Sequence, residues 1–355
     1  MTITKNYLGI DLHKQFAYWH LTDKNGELLW QGKVPTTKKD TKKRLKKCSV
    51  DLSQTISAIE SVESYGWYAD MLTELGVGEV KLANPWKLRL IAENPLKNDK
   101  EDARIIAQYL RSGTLPESYL APKKTRDLRE LVRTREYLVR MRTSAKIRVR
   151  SSFAKLGLIG PFKDVDSAKC IEWLSKQEIP KTYENEIDTL LKLIAQLRND
   201  IECYESEMKK LEKEYPITQI LKTLPGVGAV RSIIMVAEIV DYSRFSHPDK
   251  LASFAGLVPR SYSSGGKERL GRITKRGSSA LRAAMVGAAQ QARPAWGDLY
   301  IFYEKLKKKN GTTGAAKVAL ARKLLTISWH LVRKNEPFQA RSIVEPIGSV
   351  NSMNV

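Results

Sequence analysis

The chain has 355 residues, of which 42% are hydrophobic, so it can form two or three domains with apolar cores and is not disordered overall. Its 61 Lys and Arg residues outnumber 39 Asp and Glu residues and give a formal net charge of +22. This charge favours nucleic acid as the partner over an anionic membrane surface, because each neutralised phosphate releases condensed counterions.

Several other classes of protein do not fit the sequence. No signal peptide, lipidation motif or apolar run near the ~20 residues that span a bilayer is present, so we expect a cytoplasmic protein. The three cysteines are far apart and form no CxxC pair, which is typical of reduced thiols. The four histidines show no metal-ligand spacing, which argues against a zinc site.

The first third of the chain alternates strand and helix patterns. Strands are predicted at 6–11, 16–22, 27–34, 57–60 and 79–83, and helices at 37–48, 65–75 and 96–112. A turn at Asp23–Gly26 separates the second and third strands, and Gly113 ends the last helix. The alternation of strands and helices indicates an α/β domain, which we assign to residues 1–121.

A basic helical region is predicted at 122–215. Residues 123–155 are helical in pattern and carry 12 Lys and Arg against 3 acids, and apolar spacing over 183–215 suits a helical hairpin or coiled coil. A run of charged residues ordinarily marks a solvent-exposed helix face. This helix, however, has too few acidic residues to pair with its lysines and arginines. We therefore predict a surface that follows phosphate backbones, with the arginines Arg126, Arg129, Arg133, Arg140, Arg148 and Arg150.

The third region, 216–338, is predicted to be mostly α-helical, and 339–355 to be a loose tail. Leu224–Gly228 lies between two apolar helical patterns. It resembles the hairpin of helix-hairpin-helix modules, which present backbone N–H groups to phosphates, although a plain turn between helices fits as well. Residues 255–267 and 271–277 are predicted to be loops.

Four acidic residues in the first domain form a candidate metal site. Asp11 and Glu60 each end a predicted strand, and Asp99 and Asp102 share one helix face. Carboxylates that converge repel one another unless a cation lies between them, and hard divalent ions such as Mg²⁺ or Mn²⁺ prefer oxygen ligands. Two alternatives stay open: Asp99 and Asp102 could only cap the helix and favour its dipole, and Glu63 could replace Glu60.

A serine in the third region is a candidate nucleophile. Ser264 precedes Gly265 and Gly266, and glycines let the backbone approach a phosphate closely. A flexible Ser/Gly loop is the plain alternative, and Ser261 and Ser263 are competitors. Lys267, Arg269 and Arg272 follow the serine and could stabilise developing charge on a phosphate. The residues predicted to bind nucleic acid here are Lys267, Arg272, Lys275 and Arg276.

These motifs together resemble the IS110 family of insertion-sequence transposases, over roughly residues 5–335 and in the family's order. The N-terminal likeness rests on Leu8-Gly9-Ile10-Asp11-Leu12-His13-Lys14, Ala58-Ile59-Glu60, Tyr65-Gly66-Trp67, Ala83-Asn84-Pro85 and Lys97-Asn98-Asp99-Lys100-Glu101-Asp102-Ala103-Arg104. The C-terminal likeness rests on Leu224-Pro225-Gly226-Val227-Gly228, Phe254-Ala255-Gly256-Leu257-Val258-Pro259-Arg260, Ser264-Gly265-Gly266-Lys267, Gly271-Arg272-Ile273-Thr274-Lys275-Arg276-Gly277 and Leu281-Arg282.

The resemblance implies an RNase H/RuvC-like N-terminal domain whose Asp11, Glu60, Asp99 and Asp102 bind Mg²⁺, and a serine transposase domain whose Ser264 forms a covalent link to a DNA phosphate. It also implies a dimer or tetramer that combines active residues from different subunits. A guide RNA of the element, the bridge RNA, would pair with donor and target DNA. The active protein would then be found at the bacterial nucleoid.

Three hypotheses follow from the sequence. The first is an RNA-guided transposase or site-specific recombinase that uses Ser264 and the four-carboxylate site. The second is a RuvC-like endonuclease that hydrolyses branched DNA with metal-activated water, with Ser264 only structural. The third is a nucleic-acid-binding scaffold without enzymatic activity, in which the acids merely cap helices.

Overall fold

A computed structural model describes residues 5–60, 65–91, 98–160, 162–264 and 267–339. The chain divides into two compact units, residues 1–126 and 127–355. The predicted α/β region followed by a helical region is confirmed, whereas the finer three-domain division stays a prediction. The predicted tail lies, apart from residue 339, outside the described residues. Nowhere in the described part does a helix combine the length and apolar character needed to cross a membrane.

The described residues of the first unit form a six-stranded sheet and four α-helices, before a fifth helix begins near its end. In chain order its elements are β1 (Asn6–Leu12), β2 (Phe16–Thr22), β3 (Leu28–Pro35), α1 (Lys38–Lys47), β4 (Thr55–Glu60), α2 (Tyr65–Glu74), β5 (Glu79–Ala83), α3 (Pro85–Ile91), α4 (Asp99–Arg111) and β6 (Glu117–Ser118). Every strand and helix predicted from residue 6 to residue 112 is present, with bounds shifted by a few residues at most.

The sheet is mixed, in the order β3-β2-β1-β4-β5-β6. β1 pairs antiparallel with β2, which pairs antiparallel with β3, and on its other side β1 pairs parallel with β4, as β4 does with β5. This arrangement is consistent with an RNase H-like fold. Parallel strands need a crossover, and α2 supplies it between β4 and β5. β1, β4 and β5 therefore end at the same edge of the sheet, which we call the carboxyl edge.

Gly9 lets α4 pack directly against β1. A Cβ atom at this position would lie 2.1 Å from the carbonyl oxygen of Ala103 and 2.5 Å from the backbone nitrogen of Ala107. Only a glycine opposite these two small residues permits so close an approach of helix and strand. The contact brings the helix that carries Asp99 and Asp102 next to the strand that carries Asp11.

The second unit is mostly α-helical. Its elements are the main part of α5 (Lys123–Lys155), then α6 (Ala168–Leu174), α7 (Lys181–Leu211), α8 (Ile217–Lys222), α9 (Ala229–Ile239), α10 (Pro248–Phe254), β7 (Pro259–Ser264), β8 (Lys267–Ile273), α11 (Ser279–Ala289), α12 (Asp298–Asn310) and α13 (Thr313–Lys334). The largest core cluster lies here and joins residues of α9, α11 and α13.

The long helices α5 and α7 run antiparallel. Arg135 pairs with Glu205 while Arg148 pairs with Glu186, so the sequence numbers rise on one helix as they fall on the other. A small apolar cluster at one end includes Val149 and Phe153 of α5 and Ile187 and Ile194 of α7. The helical hairpin predicted from apolar spacing is therefore present.

The prediction of two loops at 255–267 and 271–277 is wrong over part of its length. β7 and β8 pair antiparallel from Pro259↔Ile273 to Ser264↔Lys267. Periodicity missed the hairpin because its strands are rich in Ser, Lys and Arg rather than in alternating apolar residues. Gly277 follows the hairpin with φ +110, and a Cβ atom there would lie 2.0 Å from the carbonyl oxygen of Phe254.

Candidate metal centre and nucleic-acid contacts

Asp11 and Glu60 lie side by side at the carboxyl edge. The last register pair between β1 and β4 joins Ile10 to Ile59, and the two acids follow this pair directly. Asp11 is buried and Glu60 is half-buried. The rival Glu63 lies outside the described residues.

Asp99 and Asp102 reach the same edge from the first turn of α4. Asn98 caps this helix, since its side-chain oxygen accepts a hydrogen bond from the backbone N–H of Lys100 at 3.0 Å. The alternative in which Asp99 serves as the cap is therefore wrong, and Asp99 is the first helical residue. Its carboxylate is left for other partners.

Three residues bring ligand atoms to one point. Among the residues that the structure describes, Asp11, His13 and Asp99 each offer one ligand atom, and these atoms lie within 4.8 Å of one another. Nε2 of His13 is 3.1 Å from Oδ2 of Asp11 and 3.4 Å from Oδ1 of Asp99. Nζ of Lys33, on β3, lies 3.7 Å from Oδ2 of Asp99.

The other three predicted acids all affect the electrostatics of Asp11. Burial raises the pKa of Asp11 to about 6, and the nearby charge of His13 opposes this shift. The charges of Asp102, Glu60 and Asp99 raise the pKa further. A buried carboxylate with three other acids near enough to raise its pKa is a donor set that fits a divalent cation with oxygen ligands.

Sequence reasoning missed His13 and Lys33 as neighbours of this site. His13 follows Asp11 by two residues and belongs to the motif already noted, so it could have been found. Lys33 belongs to an ordinary exposed strand, and nothing in its local sequence marks it. Its place follows from the order of strands in the sheet.

Ser264 is the last residue of β7, and its backbone pairs with Lys267, the first residue of β8. Gly265 and Gly266, between them, lie outside the described residues. Arg272 at the end of β8 is exposed, and so are Lys275 and Arg276 just beyond it. The candidate serine and these cations thus belong to one hairpin and the residues that follow it, and their roles stay predictions.

The turn at 224–228 joins α8 to α9, as predicted. Gly226 has φ +76, and a Cβ atom there would lie 2.7 Å from the carbonyl oxygen of Ala288. Arg231 donates a hydrogen bond to the carbonyl oxygen of Gly226 at 2.8 Å. Two short helices therefore meet in a tightly packed turn, and a helix-hairpin-helix role for it stays a prediction.

Most of the predicted α5 arginines contact the protein itself. Arg126 pairs with Asp70, and Arg129 donates to the carbonyl oxygens of Ala237 and Glu238. Arg133 makes a two-pronged contact with Glu238, with nitrogen–oxygen distances of 2.9 and 3.2 Å. The pattern of the helix alone could not reveal these partners, because they lie far away in sequence.

The remaining three arginines of α5 differ among themselves. Arg148 donates to Oε1 of Glu186 at 2.6 Å, and Arg150 donates to the carbonyl oxygen of Lys163. Arg140 is exposed. Any role of these six residues in nucleic-acid binding stays a prediction, and the contacts show that some of them also hold the fold.

Two family models match separate parts of the chain. Residues 8–156 match the DEDD domain model of the IS110 transposases, which is described as a transposase. Residues 218–301 match the model described as the transposase IS116/IS110/IS902 family. The first match includes Asp11, Glu60, Asp99 and Asp102, and the second includes Ser264.

Curated relatives match along most of their length. The transposase for insertion sequence element IS1328 of Yersinia enterocolitica is 25% identical over 93% of this chain and 98% of its own. The transposase for IS1111A of Coxiella burnetii is 25% identical over 94% and 91%, respectively. A pilin gene-inverting protein of Moraxella bovis is 25% identical over 79% and 81%. Both family models are matched in order, so the chain is similar to the IS110/IS116 transposases over most of its length.

Proposed function

We propose that this protein is a DNA transposase, or site-specific recombinase, that cuts and rejoins donor and target DNA. Ser264 is the nucleophile, and Asp11, Glu60, Asp99 and Asp102 hold Mg²⁺ or Mn²⁺. One observation supports this proposal most: a buried carboxylate, with its pKa raised to about 6, lies among three other acids at the carboxyl edge. Relatives named as transposases and as a gene-inverting protein support DNA rearrangement as the reaction class.

The proposed chemistry is phosphoryl transfer to serine. The Ser264 hydroxyl oxygen attacks a DNA phosphorus, a new O–P bond forms, and the bond between that phosphorus and one deoxyribose oxygen breaks. The serine proton is lost, and the departing oxygen takes up a proton. In religation, a deoxyribose hydroxyl attacks the phosphoserine and restores the serine.

The acidic residues of this chain would hold the divalent cation and position it in the site. When bound, a divalent cation supplies positive charge that neutralises phosphate oxygens. His13 holds the carboxylates of Asp11 and Asp99 close together through its contacts of 3.1 and 3.4 Å. Lys33, 3.7 Å from Asp99, adds a positive charge at the mouth of the site, where a DNA phosphate would approach.

The resemblance to the IS110 family extends the proposal to partners. A guide RNA encoded by the element would select donor and target sites, which would explain a strongly basic chain without a recognised base-reading motif. A homodimer or homotetramer would bring Ser264 of one subunit to the acidic site of another.

A covalent adduct tests the chemistry. Wild-type protein, incubated with DNA of the element ends and Mg²⁺, should give a protein–DNA adduct that survives denaturing electrophoresis. Ser264→Ala should abolish the adduct and strand exchange but leave nucleic-acid binding intact, whereas the matched variants Ser261→Ala and Ser263→Ala should keep them. Full recombination by Ser264→Ala would overturn the nucleophile assignment.

The same assay separates the rival functions. Metal-dependent cleavage without any adduct would favour a RuvC-like endonuclease that hydrolyses branched DNA with water. Binding without cleavage, with or without metal, would favour a scaffold whose acids are only structural.

RNA guidance needs its own experiment. Protein purified from cells that carry its native flanking DNA should contain one discrete RNA encoded beside the gene, with loops that match the insertion junctions. Random fragments, or no RNA, would leave a recombinase that selects DNA by protein contacts alone.

A further inference from the structure

Helix α1 carries a face of lysines that the acidic site does not use. Lys39, Lys42, Lys43, Lys46 and Lys47 recur at three- and four-residue spacing, and all five are exposed. Within the described part of the chain, none of the five has an acidic partner, whereas Lys38 of the same helix pairs with Glu74 at 2.6 Å. We call these five residues the α1 lysine face.

This helix forms in spite of its own charges. Lysines four residues apart repel, and the face contains three such pairs, from Lys39–Lys43 to Lys43–Lys47. A local cap and packing against the rest of the unit hold the helix in place. The side chain of Thr37 accepts a hydrogen bond from the backbone N–H of Asp40, and Thr41 and Leu45 are buried. Repulsion that packing must overcome favours an external polyanion as the reason for the charge.

A cation–π contact fixes the opposite flank of the helix. The Arg44 guanidinium lies 4.2 Å from the ring centroid of Trp30, and Trp30 in turn packs edge-on against the buried Trp19. The helix is therefore anchored by Arg44, Thr41 and Leu45, and the five lysines are not needed to hold it. A change in their charge should leave the fold intact.

The sheet places the start of α1 at the carboxyl edge. Because β2 is antiparallel to both β1 and β3, these two strands end at the same edge, where Leu12 pairs with Ala17 and Phe16 with Pro35. α1 begins three residues after Pro35. Ten helical residues extend about 15 Å, long enough to contact two or three successive phosphates of one strand.

We propose that the α1 lysine face binds the sugar–phosphate backbone of the nucleic acid whose strand enters the acidic site. The contact is electrostatic and independent of sequence, because lysine offers a point charge rather than a fixed hydrogen-bond pattern. This inference rests on the proposed function in one respect only, that nucleic acid is the substrate. It adds a binding surface in the first unit to the arginines and hairpin cations predicted from the sequence.

The salt dependence of binding tests the proposal. Lys42→Gln/Lys46→Gln and Lys43→Gln/Lys47→Gln each remove two charges of the face, while Lys176→Gln/Lys181→Gln is the matched control, since its exposed lysines pair with Glu172 and Glu184. Binding of a 30-base-pair DNA duplex and of an RNA duplex of the same sequence is measured from 50 to 300 mM KCl.

Each α1 double variant should lower the slope of log affinity against log salt by about 1 to 2, and weaken binding roughly tenfold or more at 100 mM KCl. The control should change affinity less than threefold. A loss seen with both duplexes, or with one of them, supports the proposal and identifies the polymer. The thermal unfolding temperature of the α1 double variants should not fall, because the substitutions relieve repulsion between lysines.

Three results would overturn the proposal: slopes equal to the wild type in both α1 variants, an equal loss in the control, or loss of binding to phosphatidylserine vesicles while both duplexes bind as before. Failure of the proposed function is a different result. Wild-type protein would then give no strand cleavage, yet the difference in salt slope would remain.

Discussion

Asp11 of the first unit and Asp166 of the second both have side chains with little exposure to solvent. Their surroundings nevertheless shift their pKa values in opposite directions. Burial and the neighbouring acids raise the pKa of Asp11 to about 6, against the charge of His13. Burial alone would also raise the pKa of Asp166, but hydrogen bonds with Asp164 and Lys146 and the charges of Lys146 and Arg198 lower it to about 2.

This difference in pKa shift distinguishes a carboxylate that stabilises the fold from one that is suited to binding a ligand. At Asp166 the chain supplies its own cations, with Nζ of Lys146 at 2.5 Å and Arg198 in contact. At Asp11 the chain supplies His13 but also places three further acids nearby, a set of oxygen donors that suits a divalent cation. Four experiments can break or sharpen this comparison.

The largest effect is expected for Asp11→Asn. Loss of one ligand and one charge from the acidic site should lower strand cleavage at least ~10³-fold, which corresponds to about 4 kcal/mol in the barrier. Unfolding of the metal-free protein should not become easier, because an amide has no charge to bury. Asp166→Asn is the matched control and should keep wild-type cleavage rates. Cleavage by Asp11→Asn within tenfold of the wild type would contradict the metal site.

Gly9→Ala tests whether the approach of α4 to β1 builds the site. The new methyl group would meet backbone atoms at 2.1 and 2.5 Å, so the helix must move, at a cost of about 3 kcal/mol in the free energy of unfolding, with loss of cleavage. Gly314→Ala is the control, since nothing lies within 4 Å of that position in the first turn of α13. It should be neutral or stabilise by up to about 1 kcal/mol. Urea unfolding measures the stability of both variants. An unchanged midpoint for Gly9→Ala would contradict the inference that a glycine is needed for the close approach of α4 to β1.

Asp166→Asn should lower the free energy of unfolding by about 2 kcal/mol at pH 7. This value follows from a carboxyl pKa that falls from 3.8 to about 2 on folding. It is reduced slightly because Arg198, one of the two cations, is partly exposed. The folded pKa is the lower one, so this stability is present above pH ~4 and is lost as the pH falls towards 2. Urea unfolding of wild type and variant at pH 7 and pH 3 should show a smaller difference at pH 3. A difference that does not depend on pH would exclude the ion pairs as its source.

The smallest effects compare two arginines of α5. Arg133→Gln breaks the two-pronged contact with the buried Glu238 and should cost about 1 kcal/mol of unfolding free energy, since Arg133 itself is largely exposed. Arg140→Gln should change stability by less than about 0.5 kcal/mol, but lower the salt slope of DNA binding by about 1. If the two variants exchanged these effects, the division of α5 arginines into fold-holding and DNA-facing residues would be wrong.

Much of this protein follows from local sequence. The strands at 16–22 and 79–83 and the helix at 123–155 have the bounds that their periodicity predicts, because these patterns record which side of an element faces a core. The meeting of Asp11 with Glu60 also follows, since parallel strands end at one edge. The net charge of +22 predicts a polyanionic partner before any fold is known.

Other features depend on contacts between residues distant in the chain. His13 and Lys33 join the acidic site through sheet order, the polar hairpin of β7 and β8 forms by cross-strand pairing, and Glu238 pairs with Arg133 across 105 positions. The sequence by itself determined most of the strands and helices, the candidate acids and the net charge, because these depend on neighbouring residues or on composition. Only the tertiary structure decided which cations the fold neutralises and which acids it leaves together, because the partner of a charge is set by packing and not by spacing along the chain.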